Sequence, residues 1–187
     1  METKVKSRLN GWIVTYTGKK FWPLDPRPED IDIIDIAHAL SNICRFTGHV
    51  REFYSVAQHS VHVALLSNDY QLYGLLHDAS EAYLCDVSSP VKRDQSFSKY
   101  RAHEKRLQDM IYFEFGLTVS PSGYGTVRRA DHFMAVLEGQ SLMSHHSEAF
   151  WVQEAKDLRI PVNLTGWSPK RAEENFLDCF ASIGGKK

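Results

Sequence analysis

The stretch Leu72-Tyr73-Gly74-Leu75-Leu76-His77-Asp78-Ala79-Ser80-Glu81-Ala82-Tyr83-Leu84-Cys85-Asp86 sets a histidine and three carboxylates directly behind an apolar run. Gln71 to Leu84 is rich in Leu, Ala and Tyr and reads as one helix buried on most sides. On such a helix His77 and Glu81 stand at i and i+4, and Asp78 and Glu81 at i and i+3, so the three side chains share an edge. The apolar residues ahead of them direct that edge into an interior rather than a solvated face. Buried His, Asp and Glu need partners, because uncompensated burial of charge costs several kcal/mol or more. A divalent cation is such a partner. Gly74 lets another backbone approach closely at the same point.

Two further segments interrupt apolar helices in the same way. His59 lies in Val56-Ala57-Gln58-His59-Ser60-Val61, within a helix from Ser55 to Leu66 for which Ser55 is the N-cap. Asp131 lies in Arg129-Ala130-Asp131-His132-Phe133, within a helix from Thr126 to about His145. Taken singly, each is as well explained by a hydrogen-bonded core residue. Further helices are expected from near Asp30, with acidic residues at its positive end, over Phe97 to Phe115 ahead of Gly116, and over Lys170 to Ile183. Ile13 to Trp22 alternates about Thr17-Gly18-Lys19-Lys20 and reads as a short hairpin. Asp86 to Pro90 reads as a loop. The expected fold class is all-α: one domain spanning residues 1–187, a helical bundle with a small N-terminal β-hairpin.

Composition bounds the function. The 187 residues are 43% apolar and 24% charged, with 22 basic and 23 acidic residues and a formal net charge of -1. That balance gives no electrostatic footprint for a nucleic acid polymer or an anionic membrane. Cys44, Cys85 and Cys179 are widely spaced and odd in number, which argues against a disulfide framework and for a reducing, cytoplasmic setting. No run at the start, METKVKSRLNGWIV, has signal-peptide character, and none reaches the roughly 20 apolar residues of a membrane span. Nine histidines, most of them near carboxylates, favour metal chemistry.

The order His59 … His77-Asp78 … Asp131 resembles the HD-domain superfamily of phosphohydrolases. Tyr54-Ser55-Val56-Ala57-Gln58-His59-Ser60 and His77-Asp78-Ala79-Ser80-Glu81 with Asp86-Val87-Ser88-Ser89-Pro90-Val91-Lys92 resemble its 5′-deoxynucleotidases. Ser41 to Phe46 and Gly48-His49 resemble the prophage-type branch, which is related to phage dATP triphosphohydrolases. The resemblance covers roughly residues 12 to 140. It implies an HD-domain helical bundle, His59, His77, Asp78 and Asp131 as metal ligands, and Glu81 on the attacking water. It also implies Asp86 near the sugar or leaving oxygen, Arg45 on the substrate phosphate, and an assembly of two or more copies. Phe46 stands where some relatives carry Trp, beside the sugar or base.

A two-His, two-carboxylate set suits one divalent transition metal ion, Mn, Co, Fe, Ni or Zn. The reaction expected is cleavage of the 5′ phosphoester of a 2′-deoxynucleotide, with a small-molecule substrate and a monophosphate favoured because no further basic cluster is evident. The alternatives are a dNTP triphosphohydrolase, a di-iron oxygenase on the same scaffold and a non-catalytic nucleotide-binding module. His49, just past Arg45, is a candidate to touch substrate or organise Arg45. Lys92 is a candidate second phosphate contact. His62 could face the same cavity, and His103, His132, His145 and His146 are weaker candidates for a second metal.

Overall fold

Val56, Ala57, Val63 and Ala64 are fully buried on different faces of one helix, which makes that helix the axis of the molecule. The computed structural model describes residues 11–118, 120–154 and 164–185. Over those residues the chain is mostly helical, with nine α-helices and one two-stranded antiparallel hairpin. The expectations for the first ten residues lie outside the described residues.

The hairpin pairs β1 (Ile13–Val14) with β2 (Lys20–Phe21) in the register Ile13 to Phe21 and Val14 to Lys20. Gly18 takes the left-handed conformation the turn requires (φ 85°). The hairpin is fastened to helix α1 (Ile33–Asn42), whose buried Asp35 accepts from the Thr17 backbone N–H at 2.7 Å and its hydroxyl at 2.9 Å. The helix starts later than the acidic residues suggest. Pro28–Asp30 forms a separate 3-10 turn, and Asp32 is the true N-cap, accepting from the Ile34 N–H at 2.9 Å. It ends at Asn42. Beyond it the chain runs extended, pairing Cys44 with Ser55 and sending the Arg45 N–H to the Tyr54 carbonyl at 2.9 Å.

Helix α2 (Val56–Leu66) begins at Ser55, whose hydroxyl accepts from the Gln58 N–H at 3.1 Å as the sequence predicts. It packs on α3 (Gln71–Leu75), on α7 (Pro121–Leu142) and on α9 (Pro169–Ser182). Gly74 is where α3 meets α2. A Cβ there would stand 2.7 Å from Ser67 Oγ and 3.0 Å from the Ala64 Cα, so the close approach is real. Phe176 and Phe180 on α9 are buried with Leu40 and Ile36 of α1, each such side chain contributing about 1.5–3 kcal/mol.

The largest departure from expectation falls on residues 71 to 84. Gln71 to Leu84 is not one helix. It is α3, a run of tight turns over residues 76–80, and the single-turn helix α4 (Glu81–Leu84). In the break the backbone bonds shorten to a three-residue span, from Ala79 N–H to Leu76 and from Glu81 N–H to Asp78. Asp86 to Pro90 is likewise not all loop. Ser89–Arg93 forms helix α5, with Pro90 in its first turn, where proline's missing N–H costs nothing. Helix α6 (Ser98–Glu114) follows, ending before Gly116 at φ 71°, and α8 (Phe150–Glu154) lies on α7 where Gly139 meets Trp151.

Candidate metal centre

The helix break has a direct consequence for His77 and Asp78. Consecutive residues on a regular helix point about 100° apart, whereas here His77 Nε2 and Asp78 Oδ2 approach to 3.2 Å. Around them gather His59 from the buried α2 and Asp131 from α7. His59 Nε2 lies 3.3 Å from His77 Nε2, 3.1 Å from Asp131 Oδ1 and 3.9 Å from Asp78 Oδ2. His77 Nε2 lies 3.7 Å from Asp131 Oδ1. One ligand atom from each of His59, His77 and Asp78 lies within 4.8 Å of the others. Ligands about 2.1 Å from a common ion stand roughly 3.0–3.4 Å apart in octahedral or tetrahedral geometry, so the spacing fits a shared cation.

The donor atoms are also prepared for one. His59 Nδ1–H donates to Glu138 Oε1 at 2.7 Å, and His77 Nδ1–H donates to the Gly74 carbonyl at 2.8 Å. Both rings are thereby held in the tautomer that leaves Nε2 free to ligate. Two nitrogen lone pairs facing each other at 3.3 Å repel unless a proton or a metal cation stands between them. The residues present fit a divalent ion.

Electrostatics agree. Burial opposes charge on Asp78, but His77 overrides it and holds the carboxyl down at about 2. Burial likewise opposes ionisation of Asp131, and hydrogen bonds from His59 and His77 hold it far below the carboxylate range. Seen from the other side, His77 is raised well above its ordinary value: burial disfavours its charge, but Asp78 and Asp131 prevail. Glu81 is pushed the other way. Burial, then Asp78 and Asp86, raise its carboxyl well above the ordinary value, with Lys92 countering in part.

A cavity of about 440 Å³ opens beside the cluster, lined by His77, Asp78 and Asp131, by Glu81 and Lys92, and by Tyr73, Tyr112 and Tyr124 among others. Glu81 is buried there, and its Oε2 has no hydrogen-bond partner among the described residues. Its Oε1 lies 3.4 Å from Lys92 Nζ, which also holds Glu104 at 2.7 Å. Arg45 approaches from a different side. Its Nε and one terminal nitrogen donate to Glu138 Oε2 at 3.2 and 3.0 Å, and its other terminal nitrogen lies 3.8 Å from Asp78. One of the guanidinium's two-bond edges is therefore already engaged.

The other expected residues are placed as follows. Phe46 lies beneath the Arg45 guanidinium, 5.4 Å from ring centre to Cζ, and meets Trp151 edge-on; with Thr47 it occupies the left-handed region (φ 53° and 55°). His49 is exposed, and its side chain makes no polar contact among the described residues. Asp86 sits half-buried after α4, outside the cavity lining, and acts on Glu81 through its charge. His62 turns away to the Tyr54 hydroxyl at 2.8 Å and to Trp167. His132 pairs with Glu154 at 2.5 Å, and His103, His145 and His146 stay outside the cluster.

Two residues escaped the sequence reading. Glu104 is the partner of Lys92, and Glu138 joins His59 to Arg45. The signal for Glu138 was present: it follows Asp131 by two helical turns and is the one charge between Met134 and Leu142.

No family model matches the chain. It is 36% identical to the uncharacterised protein YfdR of Escherichia coli over 174 residues, which cover 92% of this chain and 95% of that one. It is 35% identical to an uncharacterised protein of Rhodobacter capsulatus over 144 residues, 70% of this chain and 72% of the other. With similarity along nearly the full length of both sequences, the chain belongs to the family of YfdR.

Proposed function

We propose that this chain is an HD-type, metal-dependent phosphohydrolase that cleaves the 5′ phosphoester of 2′-deoxynucleoside monophosphates. The observation that carries the reading is the convergence of His59 Nε2, His77 Nε2, Asp78 Oδ2 and Asp131 Oδ1 at 3.1–3.9 Å beside a cavity holding Glu81 and Lys92. A divalent ion bound by these four residues would acidify water and polarise a phosphoryl oxygen.

The remaining chemistry belongs to the protein. Glu81 is a carboxylate whose proton affinity is raised by burial, and so a stronger base than an exposed one. Its unpartnered Oε2 is available to orient the attacking water. Lys92 and the terminal nitrogen of Arg45 nearest Asp78 supply positive charge as negative charge grows on the phosphoryl oxygens. Asp86 protonates the leaving O5′ only by moving towards the cavity. The tyrosines of the cavity wall offer faces for the sugar and base.

The cavity also carries Arg101, Lys105 and Arg128. This bears on the triphosphate alternative, since β and γ phosphates need cations. Arg101 is bound to the carbonyls of Lys92 and Asp94, and Lys105 to Asp109 at 2.5 Å. Two of these three cations are thus committed, which favours the monophosphate. The test is to supply dAMP and dATP to Mn²⁺-loaded protein and measure the products. Inorganic phosphate from dAMP is expected; triphosphate from dATP would move the reading to its alternative. Release of neither from any deoxynucleotide would sink the class.

A further inference from the structure

His59 and Arg45 come from separate elements, yet both end on one carboxylate. Glu138 is fully buried on α7, with Val136, Leu137 and Leu142 buried on the same helix. Its Oε1 accepts from His59 Nδ1 at 2.7 Å, and its Oε2 accepts from Arg45 at 3.2 and 3.0 Å. These three charge-assisted bonds compensate a charge that burial would otherwise make costly.

We infer that Glu138 is a positioning residue that serves both halves of the site, fixing the His59 ring with Nε2 towards the cation and holding the Arg45 guanidinium with one terminal nitrogen towards the phosphate. This rests on the metal and phosphate roles proposed above for His59 and Arg45. With Nδ1–H committed to a carboxylate, His59 ligates only through Nε2 and does so as a stronger donor. With Nε and one terminal nitrogen committed, Arg45 meets phosphate through its remaining edge. Because one side chain makes both sets of bonds, disturbing it weakens metal and phosphate binding together.

Glu138→Gln tests this at constant shape. Glutamine presents one oxygen and one NH₂, so it can accept from His59 or from Arg45, while its NH₂ meets the other donor head-on. In calorimetric titrations the dissociation constant for Mn²⁺ is expected to weaken about 10–100-fold. That for inorganic phosphate, measured at saturating Mn²⁺, is expected to weaken about tenfold or more. If either constant is unchanged, the shared role is overturned. A second measurement needs no variant. In the unmodified, Zn²⁺-loaded chain, nitrogen-15 NMR should find the His59 proton on Nδ1; a proton on Nε2 overturns the inference. If the unmodified chain takes up neither Mn²⁺ nor Zn²⁺, the metal reading itself falls. Uptake by both proteins with equal affinity removes only the role of Glu138.

Discussion

The site is built by two regions of opposite character. Helices α2 and α7 are long and regular, and each contributes one candidate ligand at a buried or half-buried position, His59 and Asp131. The segment from residue 71 to 86 is short, broken and tightly turned, and it contributes His77, Asp78 and Glu81. A regular helix holds a side chain firmly but sends its sequence neighbour about 100° away. A pair of adjacent ligands is better served by a break. The regular helices thus act as the frame and the broken segment as the insert, with Gly74 pressed against α2 to seat it.

The candidate ligands should carry the largest effects, beginning with those of the insert. Replacing His77 or Asp78 by Ala should cost more metal affinity than the roughly 10–100-fold expected of a supporting residue, because a ligand itself is lost. Metal titration of each variant checks this, and near-normal affinity would break the division between frame and insert. Glu81→Gln should lower kcat about 10²–10⁴-fold while leaving the metal constant nearly unchanged. That result would separate the water-orienting role from ligation.

How much of this was legible follows the same division. The frame was readable: Ser55 as a cap, His59 inside α2 and Asp131 inside α7 follow from helical periodicity and cap chemistry. The insert was not. Leu, Ala and Tyr over 71–84 satisfy a helical pattern, and nothing local reports that the turn over residues 76–80 tightens. The constraint is tertiary, set by where two neighbouring side chains must point. Asp86 was assigned through resemblance and His49 through its place just past Arg45, and their placement away from the cavity lining reflects loop geometry that spacing does not encode.

Proton competition sharpens the comparison further. Metal ligation requires unprotonated Nε2 on both histidines, and Asp78 and Asp131 raise His77 well above its ordinary value of 6.5. Mn²⁺ affinity should therefore climb with pH through and beyond about 6.5. The metal-free chain should behave oppositely. The stability that His77 draws from its carboxylates is complete below about 6.5 and is lost as pH rises through the raised value. Titrations and thermal melts across pH 5.5–9, with and without Mn²⁺, should diverge; parallel curves would contradict the assignment.

Smaller effects belong to the packing and capping of the frame, away from its candidate ligands. Gly74→Ala drives a Cβ to 2.7 Å from Ser67 Oγ and 3.0 Å from the Ala64 backbone, and should destabilise by about 1–3 kcal/mol in denaturant melts. Ser55→Ala removes the cap of α2 and should cost about 1 kcal/mol. A larger loss at Ser55 than at Gly74 would reverse the roles given to cap and seat.

The central claim is a single divalent-ion site joining the two regions, and calorimetric titration of the metal-free chain with Mn²⁺ tests it most directly. One ion per chain is predicted, with binding lost in both His59→Ala and His77→Ala. Two ions per chain, or one that survives either substitution, would contradict it.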